Sequence, residues 1–151
     1  MKENKEYEKW ITSLMYKYSK ARLDSVIKAN AEMINLFFEL GKEISNSPFK
    51  ESDGSNYYNK ISKEFLDVIS NPLGLSPENI RNMEKFYLLY KDKIDNLPGL
   101  FTIPWHYHIS ILNKCKETDE ALFYINKIYE NDWDEEELNF YLDYNLYSKN
   151  K

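Results

Sequence analysis

The sequence predicts an all-α fold, a single domain of six to seven helices with a helix–turn–helix-like centre. Three observations lead there. Apolar residues recur at three- to five-residue steps over long stretches, as they do along one side of a helix. Only 4 Gly and 5 Pro occur in 151 residues, too few for the turn-rich chain of a β sandwich. Two helix starts are also written out in residue types, Ser76-Pro77 and Asp134 with Glu137 three positions on. A chain of this length can build one core, so residues 1–151 form one unit.

The first helical stretch runs from Lys5 to about Ser45, on Trp10, Leu14, Tyr18, Leu23, Ile27, Ala31, Ile34, Phe38 and Leu40. No Pro or Gly interrupts it before Gly41, so it is one long helix or two with a kink near Ser19–Ala21. Asn46–Asn56 holds Pro, Gly, Ser and Asp and reads as a loop. Tyr57–Ile69 is helical on Ile61, Phe65, Leu66 and Ile69, and Asn71-Pro72-Leu73-Gly74 is a turn. From Pro77 to about Lys93 a helix starts with Ser76 as N-cap and Pro at the first position, where a missing N–H costs nothing. After a loop at Asp95–Ile103, Pro104–Lys116 is helical, and Thr118 is expected to cap a helix running to about Asn131. Asp134 and Glu137 form a capping box that opens a last helix through Tyr147.

Composition removes several classes of function. No run of 18 apolar residues is present, so no membrane span is expected, and MKENKEYEKW has no apolar leader. One cysteine, Cys115, excludes an internal disulfide and fits a reducing, cytoplasmic setting. Net charge moves from +2 over residues 1–50 to -2 over 51–100 and -5 over 101–151. A protein that binds nucleic acid alone usually shows a basic face, so the last third is the poorest candidate for that role.

No catalytic, metal or cofactor site is expected. His106 and His108 stand about 200° apart around a helix and do not converge on one ion. Cys115 has no CxxC partner and reads as an inert thiol. Asp132 and Asp134–Glu137 read as a solvated helix start, where carboxylates favour the dipole. There is no phosphate-cradling Gly-rich loop and no nucleophile elbow. The E-x-K needed by a two-metal nuclease occurs only at Glu3-Asn4-Lys5, with no Asp before it. The chain is therefore read as non-enzymatic.

Two helix faces are candidates for binding. Asn79, Arg81, Asn82 and Lys85 suit nucleic acid, since Asn matches adenine edges and Arg matches guanine or phosphate. The last helix reads as apolar over more than one face. Leu138, Tyr141, Leu142 and Tyr144 are the expected contacts of a homodimer or another partner. The many other aromatics fall at helical spacing with Leu and Ile and read as core or interface rather than base-stacking platforms.

Three blocks, in order, resemble the N-terminal domain of the DUF1016 (YhcG-like) family. Asn30, Gly41 and Ile44 match in ANAEMINLFFELGKEI, and Ser76, Asn79, Met83, Phe86 and Tyr87 match in LSPENIRNMEKFYLLY. Pro104, Trp105, Leu112, Tyr124 and Trp133 match in the third block, and the cover runs from about Tyr7 to Tyr147. Departures are Phe38 for a usual Trp, Tyr107 for a common His, and Asp132 for a Gly before the last Trp. In that family this domain precedes a PD-(D/E)xK nuclease domain, whose motif the sequence does not carry. The resemblance implies a nucleic-acid-binding or protein-interaction module of nuclease and restriction-type defence systems. DNA and a nuclease or effector protein are the candidate partners. The acidic balance supports another class, a standalone inhibitor of anti-restriction or anti-CRISPR type that docks on a nuclease complex. A purely structural oligomerisation domain is the third reading.

Overall fold

The computed structural model describes residues 2–50, 54–69, 74–93 and 99–150, and among them every regular element is helical. Seven α-helices follow in order. They are α1 (Lys2–Asn46), α2 (Tyr57–Val68), α3 (Pro77–Tyr90), α4 (Trp105–Lys114), α5 (Thr118–Asn131), α6 (Glu135–Tyr144) and α7 (Leu146–Lys149). A short 3-10 turn at Gly54–Asn56 leads into α2. Residues 71–73 of the expected turn Asn71–Gly74, and residues 51–53 and 95–98 of the two expected loops, lie outside the described residues.

α1 settles the first open question, because it is unbroken for 45 residues, about 67 Å. Its burial is confined to its C-terminal part. Ile34, Phe37, Phe38, Gly41 and Ile44 are buried, whereas between Lys2 and Ala29 only Ile11 is even half-buried. The helix therefore projects from the body as an arm before it joins the core.

α3 is the hub, packed against α1, α2 and α4. It starts as its residue types predict, with Ser76 Oγ accepting from Asn79 N at 3.1 Å. Ile80, Asn82, Met83, Glu84, Phe86 and Tyr90 are all buried, so α3 shows solvent only the stripe Glu78, Arg81, Lys85 and Leu88. Phe86 is the centre of the main core. Its ring meets Phe38 at 6.0 Å, Tyr90 at 5.2 Å, Trp105 at 5.2 Å and His108 at 4.9 Å. A smaller cluster of Ile44, Tyr57 and Ile80 seats α2.

α2 and α3 are consecutive and touch, and residues 69–76 separate them, about twice the three or four residues of a helix–turn–helix turn. Thr118 does not cap α5. Glu117 holds the cap position, and Thr118 Oγ1 instead donates to Leu89 O at 2.6 Å, tying α5 to α3. The capping box of α6 forms as expected, with Asp134 Oδ1 accepting from Glu137 N at 2.8 Å. α6 stops at Tyr144, short of the expected Tyr147, because Asn145 turns left-handed at φ 58°, and the short α7 follows it. Asp132 is also left-handed, at φ 52°, which accounts for glycine being the resembled family's choice there.

Candidate functional site

The four residues expected to contact nucleic acid divide in two. Asn79 is half-buried and both ends of its amide are taken. Nδ2 donates to Gly74 O at 2.6 Å, and Oδ1 accepts from Trp105 Nε1 at 2.7 Å. It is a strut between the start of α3 and the start of α4, not a free reader of bases, which corrects the sequence expectation. Arg81 and Lys85 are exposed. Asn82, although only 6% exposed, opens with them onto one shallow depression of about 470 Å³. Asn59 of α2 and Asn113 of α4 complete its polar wall, with Glu78 as the only carboxylate. No local pattern marks these two asparagines, because they arrive from helices far away in the chain.

Lys85 also borders a second open groove of about 580 Å³, between α3 and the α4–α5 junction. Leu88, Leu112 and Cys115 line that groove, and Lys93, Lys116, Glu117 and Asp119 edge it. Lys93 is paired with Asp119 at 2.8 Å. The solvent stripe of α3 thus forms a ridge between two depressions, with Lys85 common to both.

Beneath Arg81 lies a buried carboxylate network. Glu84 Oε2 meets Lys50 Nζ at 2.9 Å, and its Oε1 accepts from the Tyr58 hydroxyl. Arg81 lies over the Tyr58 ring, 4.9 Å from its centroid. Burial pushes the Tyr58 phenol up to about 12, helped by its hydrogen bond to Glu84 and that residue's charge. The phenol stays protonated and donating, so the network holds α2 to α3 and carries no proton chemistry near neutrality.

The histidines do not meet. His106 is exposed, 3.6 Å from Glu135 Oε2. His108 is fully buried, and its Nε2 lies 2.8 Å from Leu100 O, so Nε2 carries the proton and donates. Burial pulls His108 down to about 4, against the hydrogen bond to Leu100. The folded state therefore resists protonation while the unfolded chain, near 6.5, accepts it. The His108 contribution to stability is complete above pH 6.5 and declines as pH falls towards 4, by roughly 3 kcal/mol over that window. Urea unfolding at stepped pH should show this slope, and His108→Gln, which keeps a donor but cannot titrate, should flatten it. An unaltered slope in that variant would remove His108 as the cause.

Burial pushes the Cys115 thiol up to about 12, with the Glu120 charge and hydrogen bond adding to it, so the thiol is unreactive. Among the described residues no group of three or more His, Cys, Asp or Glu side chains is placed to hold a metal ion. No helix there is long and apolar enough to cross a membrane.

The expected interface on α6 also divides. Leu138 is fully buried and Leu142 is 6% exposed, both in the domain's own core, so neither is available to a partner. The expectation failed because α4 and α5 cover that side of α6. Tyr141 is half-buried, stacked on Trp133 at 4.4 Å. Tyr144 alone of the four is exposed, stacked on Phe140 with Lys149 Nζ 3.6 Å above its ring centroid.

Residues 13–149 match the DUF1016 N-terminal domain. The chain belongs to this family. No curated protein and no solved structure matches it. The DUF1016 landmarks can now be placed, and they are mostly framework. Asn30 Nδ2 donates to Ile103 O at 3.4 Å, Gly41 is the crossing point of α1 and α3, and Asn79 and Trp105 hold each other. In this DUF1016 domain, Arg81, Lys85, Asn59 and Asn113 lie outside the landmark positions.

Proposed function

We propose that this domain is a non-catalytic nucleic-acid-binding module of a nuclease or restriction-type defence system. One observation supports this reading above the others. Arg81, Asn82 and Lys85, joined by Asn59 and Asn113, gather around a single open polar depression with one carboxylate. Two cations and three amides suit a phosphate and a neighbouring base edge. Because α3 offers solvent only a narrow stripe, contact is made along the ridge rather than by inserting the helix into a groove. The link to nuclease systems rests on the family resemblance.

Fluorescence anisotropy with labelled DNA and RNA oligonucleotides, at several salt concentrations, tests the reading. Arg81→Ala with Lys85→Ala should weaken binding and lower the salt slope by about 2, one for each cation removed from a phosphate. Equal affinity and slope in the double variant would overturn it.

A second reading, a decoy or inhibitor, is favoured by the surface at the start of α6. Asp132, Asp134, Glu135, Glu136 and Glu137 are all exposed there, followed by Phe140 and Tyr144. Such a surface suits the basic face of a nuclease. Displacement of DNA from a nuclease by this chain, abolished in Glu135→Lys with Glu136→Lys, would support that reading.

A further inference from the structure

Among the described residues, the arm of α1 carries a long run of exposed large apolar side chains. Trp10 is 57% exposed and Tyr18 is 69% exposed, and Tyr7 and Leu14 are open as well. Tyr7, Ile11, Leu14, Tyr18 and Ala21 recur at steps of four, three, four and three. That is the 3.5-residue period of a two-stranded coiled-coil seam, and it points away from the row that α1 buries in the core. Most of the stability of a protein helix comes from packing its apolar face, so this open face calls for a covering surface.

We infer that the arm pairs antiparallel with the arm of a second copy of this chain. Charge decides the occupant and the direction. Residues 2–28 carry 7 basic and 4 acidic groups, and three of the four acids, Glu3, Glu6 and Glu8, lie at the tip. Lys2, Lys5 and Lys9 share the tip but fall at the outward b and f positions, whereas Lys17 and Arg22, at g and e, flank the seam towards the base. A parallel pair would set like charges together at the seam's edges, Glu3 against Glu8 and Lys17 against Arg22. An antiparallel pair sets Glu8, at an e position, on Arg22, at an e position of the other copy, as edge charges do in specific coiled coils. In the register that seats Ile11 over Ala21 and Leu14 over Tyr18, Glu8 of one copy flanks Arg22 of the other. Tyr7 of each tip then lies over Ser25 of the other arm, whereas Leu23, Val26 and Ile27 continue the row that α1 buries in the core and stay outside the seam.

The area is sufficient. Five seam or flanking side chains per copy, at about 100 Å² each, remove roughly 1,000 Å² from water, the lower bound of a specific interface. The pairing is independent of the depression at Arg81 and Lys85, so either proposal can fail alone.

Light scattering on a sizing column, at tens of micromolar, should give twice the 18.2 kDa chain mass. Ile11→Glu with Leu14→Glu should give the single mass with helical content of the body retained, since neither side chain belongs to the core. A chain carrying both Glu8→Cys and Arg22→Cys should form a covalent dimer under mild oxidation, while Glu8→Cys alone should not. A wild-type monomer, a dimer that survives the double Glu variant, or cross-linking by Glu8→Cys alone would each overturn the inference.

Discussion

Gly41→Ala is expected to destabilise the protein by about 1–2 kcal/mol net, although it improves the helix. Alanine in place of a mid-helix glycine gains up to about 1 kcal/mol from backbone entropy. Here a Cβ would stand 2.1 Å from the Met83 carbonyl oxygen, 2.7 Å from its carbon and 3.1 Å from Tyr87 Cβ. Two of these neighbours are backbone of α3, which cannot swing aside as a side chain can. α1 and α3 would have to separate, and overpacking of that kind costs roughly 1–3 kcal/mol or more. Because the two effects have opposite signs, urea unfolding decides between them. A variant as stable as the parent would mean that the two helices do not cross at Gly41.

Phe86→Ala should cost more, roughly 3–5 kcal/mol, the range for removing a large buried aromatic side chain. Phe86 is fully buried, and its ring touches side chains from α1, from α3 itself and from α4 at once. Little can collapse into the gap, because Trp105 is held by Asn79 and His108 by Leu100 O. Thermal unfolding followed at 222 nm would measure the destabilisation. A decrease below about 1 kcal/mol would show that the core repacks around the cavity.

What the sequence made legible is local. The Ser76-Pro77 start and the Asp134–Glu137 box depend on atoms three residues apart, so residue types suffice to place them. What it hid is tertiary. Trp10, Leu14 and Tyr18 repeat as regularly as Ile34, Phe37 and Phe38, yet only the second group has a body to pack on. Asn79 has the chemistry of a base reader, but a carbonyl in the preceding loop and an indole 26 residues on take both ends of its amide. Leu138 and Leu142 read as a free apolar face until α4 and α5 are placed beside them. The site was half visible. Arg81 and Lys85 lie on one helix, while Asn59 and Asn113 join them only through the packing of α2 and α4 on α3.

The uneven burial of the three tryptophans divides the protein optically. Trp133 is 7% exposed and Trp105 is half-buried, so both signal from inside the body. Trp10 alone sits in the open, far out on the arm. A soluble quencher such as acrylamide therefore reaches mainly one indole, and the accessible fraction of the emission follows whatever covers the arm. The protein carries its own label at the position where a neighbour on the arm is first felt.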